Sequence, residues 1–99
     1  MTDKLQDKNL DFLYEAILSL ETKEDCEKFF TDLCTVKELK SISQRVVVAK
    51  MLKEKSVYSD IVEATGASTA TISRVNRSLN YGEGGYDVVF QRLGDQKKI

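Results

Sequence analysis

The sequence predicts an all-α protein, a compact multi-helix bundle that contains a helix-turn-helix, and three observations carry that expectation. Proline is absent and only five glycines occur in 99 residues, so long stretches can run as uninterrupted helix. Apolar side chains recur at three- and four-residue steps along most of the chain. Helix start signals also repeat at short intervals, as Thr22 with Asp25, Thr35 with Glu38 and Ser41 with Gln44. The chain is expected to form one domain, with residues 1–55 as dimerisation helices, 57–80 as the helix-turn-helix and 86–93 as a C-terminal helix.

Taken in order, a first helix over residues 4–20 presents Leu10, Leu13, Tyr14, Ile17 and Leu18, with Leu5 earlier and Phe12 and Leu20 widening the stripe. A second, opened by Thr22, presents Cys26, Phe29, Phe30 and Leu33. Thr35 opens a short third helix with Val36 and Leu39. Ser41 opens a fourth, whose expected buried stripe is Ile42, Val46, Ala49 and Leu52, broadened by Val47, Val48 and Met51. Cys26 and Cys34, eight apart, would lie about 12 Å apart along a helix, too far to bridge, and read as reduced core residues.

The stretch from 57 to 80, VYSDIVEATGASTATISRVNRSLN, is the helix-turn-helix. Ile61 and Thr65 share one face of its first helix, and Ile72 and Val75 share one face of its second. Gly66 supplies the corner, where two steeply crossing helices need a position without a Cβ. Ser56 is expected to cap the first of the pair and Ser68 the second. Ser68, Thr69, Ala70, Thr71, Ser73 and Arg74 are left outward. Beyond it, NYGEGGY ends the helix, with Gly82 expected in the left-handed conformation and Tyr81 and Tyr86 packing an ordered turn. A seventh helix over 86–93 carries Val89, Phe90 and Leu93, and the tail GDQKKI is expected to fray.

Charge is divided unevenly along the chain. Residues 1–40 hold six basic and ten acidic side chains, 41–80 hold six and three, and 81–99 hold three of each, giving −4, +3 and 0. The positive segment coincides with the motif, the distribution that phosphate contact requires. A helix tip of small hydroxyl-bearing side chains fits a DNA major groove. Thr69, Ala70 and Thr71 are therefore the candidates for base-edge contact, and Ser59, Ser73, Arg77 and Lys53 those for phosphate contact. No arginine occupies the first turn of the reading helix, so specificity should lean on water bridges and DNA shape.

Other functions find little support. With no histidine, no metal-ligand cluster, no glycine-rich phosphate loop and no nucleophile beside a base, neither enzyme chemistry nor a metal or cofactor is expected. No run of about 18 apolar residues and no hydrophobic leader core is present, so a cytoplasmic protein without membrane contact is expected. The competing class is a helical protein-interaction module docking a partner protein through the same motif, which the weak basicity would suit. Strong apolar stripes at both ends suggest burial against a second copy, since helix-turn-helix proteins commonly read two half-sites about 34–36 Å apart as dimers.

CTVKEL, SQRVVVAKML, TGASTATISRVNRSL and YGEGGYDVVFQRL, spread over residues 35–93, make the chain resemble the Trp-repressor-like family and, within it, the YerC/YecD branch. The resemblance implies an intertwined all-helical homodimer that binds double-stranded DNA as a transcriptional regulator of the repressor kind. It also implies an effector pocket, because Thr35, Arg45, Arg74 and Ser78 stand at the family's polar tryptophan-binding positions. Two departures matter. Val75 follows the second arginine where the Trp repressor has glycine, so a β-branched side chain is expected to block the indole; overpacking of this kind costs roughly 1 to 3 kcal/mol. Cys34 stands where a leucine lines the family's pocket. No tryptophan response and no small-molecule corepressor is therefore expected. Arg45 and Arg74 are left either to bind another anion or, by the reading that needs less, to pair with acidic side chains and hold the reading helix in place.

Overall fold

In this computed structural model, residues 7–94 are described. They form six helices and no strand: α1 (Lys8–Leu18), α2 (Lys23–Leu33), α3 (Val36–Lys53), α4 (Tyr58–Thr65), α5 (Thr69–Tyr81) and α6 (Gly85–Leu93). The all-α expectation holds, with one helix fewer than the start signals announce. The expected third and fourth helices are one, α3, because no glycine or proline interrupts it and Ser41 does not cap. The Ser41 hydroxyl instead accepts a hydrogen bond from Arg45 Nη1 one turn on, at 2.8 Å. The expected first turn of the first helix, with Leu5, lies outside the described residues, as do positions 95–99 of the tail.

Met1–Leu39 and Lys40–Ile99 form two compact units. In the first, each helix start is held by a side chain, as its orphan N–H groups require. Asp7 accepts from the N–H groups of Asn9 and Leu10 at the head of α1. Thr22 Oγ1 accepts from Asp25 N–H at 3.0 Å, while the Asp25 carboxylate reaches back to Glu21 N–H at 3.1 Å. Thr35 and Glu38 form the full reciprocal box, at 3.0 and 2.8 Å. Apolar side chains are abundant on α1 and α2, yet neither helix contains a fully buried residue. Phe12 is 73% exposed and Leu18 82%. Phe29 and Phe30 meet edge to face, 5.4 Å apart. Cys26 is exposed and Cys34 half-buried, so the expected pair of core thiols is corrected; both are free.

The second unit holds the core. Val48, Ala49, Ile61, Ala67, Ile72 and Val75 are buried, with Met51, Leu52, Leu79, Tyr86 and Phe90 packed around them. Burying each Ile or Val contributes roughly 1.5 to 3 kcal/mol, so the unit is held chiefly by α4 packing on α5, with Val48 and Ala49 of α3 drawn into the same cluster. The expected stripe on α3 is rotated: Ile42 and Val46 are each 40% exposed, while Val48 lies wholly inside. The inward face is therefore Val48, Ala49, Met51 and Leu52, one helical turn ending at the motif.

The corner of the helix pair is fully satisfied. Gly66 adopts φ 73°, the left-handed conformation that costs a side-chain-bearing residue roughly 1 to 2 kcal/mol, and its N–H donates to Val62 O at 2.8 Å. Thr65 donates its hydroxyl to Ile61 O at 2.7 Å and accepts from Ala67 N–H at 3.0 Å. Gln44 donates from Nε2 to the Thr65 carbonyl at 3.1 Å, tying the corner to α3.

Three local expectations are corrected. Ser56 does not cap α4; Val57 takes that position without a side-chain bond, and Ser56 N–H donates back to Met51 O. Gly82 is extended, not left-handed, at φ −89° and ψ −156°. What it supplies is space, because a Cβ there would lie 2.4 Å from the Ser78 carbonyl oxygen, and Gly84 takes the left-handed position instead. Tyr86 stacks on Phe90 with centroids 6.1 Å apart, whereas Tyr81 is 85% exposed and packs nothing.

Candidate nucleic-acid interface

The N-terminal turns of α5 are built from the core outward. Ile72, Val75 and Leu79 recur on one side of the helix and are drawn inside or against the core, which fixes Thr69, Ala70, Ser73, Arg74 and Arg77 on exposed positions. Ser68 caps the helix by accepting from Thr71 N–H at 3.1 Å, and its hydroxyl donates to Thr71 Oγ1 at 3.1 Å. Thr71 is half-buried. The sequence places it fully outward; here its oxygen is engaged by Ser68, and its own hydroxyl proton remains to donate.

Ser59 lies exposed in the first turn of α4. Lys53, in the last turn of α3, is in a different state from that expected of a phosphate contact. Its Nζ lies 2.8 Å from Asp87 Oδ1 in the first turn of α6, with both side chains about half exposed. The other ion pair among the described residues joins Lys50 to Glu54 at 3.6 Å, and Lys50 also sits over the Phe90 ring, 5.5 Å from its centroid.

The residues of the expected effector pocket are divided between the two units. Thr35 belongs to the first, where its hydroxyl is engaged in the capping box. Arg45, Arg74 and Ser78 belong to the second. Arg45 bonds to Ser41, and among the described residues neither Arg45 nor Arg74 has an acidic partner. Val75 is 1% exposed and wholly inside the core. Ser78 lines an open, mostly apolar groove of about 450 Å³ with Val46, Tyr86, Val89 and Phe90.

Two features escape sequence reasoning. The Lys53–Asp87 pair joins positions with no helical spacing between them, and the groove is lined by α3, α5 and α6 at once. Among the described residues no group of three or more His, Cys, Asp or Glu is placed to hold a metal ion. None of the helices there is long and apolar enough to cross a membrane.

The family model described as Trp repressor protein matches residues 8–94. The chain belongs to the Trp repressor family. It is 53% identical over 91 residues to YerC of Bacillus subtilis (strain 168), an uncharacterized protein, covering 92% of this chain and 88% of that one. A crystal structure of a TrpR-like protein from Eubacterium eligens ATCC 27750 superposes with a TM-score of 0.92 at 57% identity, covering 98% of this chain and all of the other. A candidate Trp repressor from Staphylococcus aureus superposes with a TM-score of 0.90 at 49% identity, covering 97% and 96%. The Trp-repressor-like resemblance and its YerC branch are thus confirmed, and the family match extends through α1 and α2, beyond the motifs that first suggest it. The Trp repressor is itself one of the standard helix-turn-helix proteins.

Proposed function

We propose that this protein is a sequence-specific, double-stranded-DNA-binding transcriptional regulator, a repressor that acts as a homodimer and does not respond to tryptophan. The observation that carries the reading is the tip of α5, a core-anchored helix that exposes Thr69 and Ala70 and, one and two turns on, Ser73, Arg74 and Arg77. Thr69, Ala70 and Thr71 meet base edges through methyls and hydroxyls. Ser73, Arg77 and Ser59 meet phosphates, which fix register without reading sequence. Lys53 joins them only on leaving Asp87.

The dimer is supported by the apolar side chains of α1 and α2, none of which is fully buried among the described residues. Residues 1–55 would supply that contact, with 57–80 reading DNA. The absence of a tryptophan response is supported by Val75, whose isopropyl group fills core space where the family resemblance places an indole. Isothermal titration with tryptophan is expected to give no binding tighter than millimolar.

Selection of bound duplexes from random DNA, run with and without tryptophan, tests the whole reading. A palindromic site recovered equally under both conditions is the expected result. T69E/T71E is expected to abolish enrichment while leaving the helical circular dichroism unchanged; undiminished enrichment by that variant overturns the assignment of α5. The low basicity favours one other reading, a module that docks a partner protein through the same helix pair. Salt separates the two, since DNA affinity falls with added salt and an apolar protein contact hardly changes.

A further inference from the structure

Among the described cations of the second unit, Lys53 alone combines an acidic partner at hydrogen-bonding distance with a side chain open to solvent. Lys50 is 17% exposed and lies over Phe90, whereas Lys53 is 47% exposed and its Nζ is 2.8 Å from Asp87 Oδ1. Arg74 and Arg77 have no ion pair among the described residues. Asp87 lies in the first turn of α6, where a carboxylate interacts favourably with the helix macrodipole. An ion pair this exposed contributes little to stability, so it can be removed without loss of the fold.

We propose that Asp87 is a built-in competitor for DNA phosphate at Lys53, an autoinhibitory contact that lowers sequence-independent affinity. The proposal rests on the DNA-binding reading above. A phosphate that engages Lys53 must displace the Asp87 carboxylate, so the exchange replaces one anion with another and leaves Asp87 unpaired beside the DNA. The sequence-independent part of binding, which comes from phosphate neutralisation, is thereby reduced. Contacts from the tip of α5 to base edges are untouched. Their share of the total rises, and discrimination between operator and random DNA rises with it.

The test measures binding of the full chain to a labelled random-sequence duplex by fluorescence anisotropy as salt is varied. D87N is expected to tighten binding on the order of tenfold at about 0.1 M salt and to steepen the slope of log K against log salt by about 0.9, the value of one further neutralised phosphate. K53Q, which leaves Asp87 without its cation, is expected to bind more weakly than the unmodified protein, and K53Q/D87N to lose the gain made by D87N. Helical content is followed by circular dichroism, and D87S, which keeps a polar group at the head of α6, provides the same comparison if D87N fails to fold. An unchanged slope and affinity in D87N overturns the proposal, as does a gain that persists in K53Q/D87N. If neither the unmodified protein nor D87N binds any duplex in a salt-dependent way, the DNA-binding reading itself falls.

Discussion

The two units carry comparable amounts of apolar sequence and treat it in opposite ways. From Lys40 onward, six small or β-branched side chains are buried completely and the polar corner around Thr65 is closed by hydrogen bonds. Before Lys40, the stripe on α1 recurs just as regularly, yet Phe12 and Leu18 are almost fully exposed. Periodicity therefore establishes a helix in both places and establishes a core in only one. Hydrophobic stabilisation comes from area removed from water, and among the described residues the first unit removes little of its own.

The comparison breaks most directly at a fully buried residue. Ile72→Ala is expected to destabilise the protein by about 2 to 5 kcal/mol in urea denaturation, through lost transfer energy and the cavity it leaves. Replacing both Phe12 and Leu18 with serine should do something different. Sedimentation is expected to show the dimer dissociating at micromolar protein, with the core of the second unit retained. A monomer before mutation, or a dimer that survives it, would erase the contrast between the units.

A smaller effect is expected at the corner. Gly66→Ala meets no atom within 4 Å, so space is not the issue; its φ of 73° is. The cost should be roughly 1 to 2 kcal/mol by thermal unfolding. Below that come the caps. Removing the hydroxyl of Thr35 or Ser68 should each cost about 1 kcal/mol, because each leaves a helix N–H without its acceptor, whereas Ser56→Ala breaks no cap and should cost less.

The caps also show what the sequence makes legible. Thr22, Thr35 and Ser68 are local signals, each satisfied three residues away, and all three function as expected. Ser41 carries the same signal and fails, because a continuous helix with no breaker already satisfies the N–H groups it would cap. The motif core of Ile61, Ala67, Ile72 and Val75 is readable for a similar reason, since helix spacing and one glycine define it. The rotation of α3 toward Val48 is not readable, because Ile42, Val46, Val47 and Val48 are equally apolar and only the position of α4 and α5 selects among them. The same limit hides the pairing of Lys53 with Asp87. At the interface, exposure of Thr69 and Ala70 follows from the burial of Ile72 and Val75, while the hydroxyl contact that draws Thr71 partly inward depends on how the Ser68 cap is built.

The smallest effect expected is at Lys50, and it sharpens the contrast between an exposed and a sheltered cation. Its pair with Glu54 spans one helical turn and is open on the glutamate side, so Glu54→Gln should cost no more than about 0.2 to 0.5 kcal/mol and less in high salt. The contact with Phe90 is of another kind, since the ammonium lies over the ring, 5.5 Å from its centroid, and faces the π system. Phe90→Leu should therefore destabilise more than Glu54→Gln, and the difference should persist as salt is raised. Equal losses in both variants, vanishing together in salt, would mean that Lys50 is held by charge alone and that the ring contributes no more than its area.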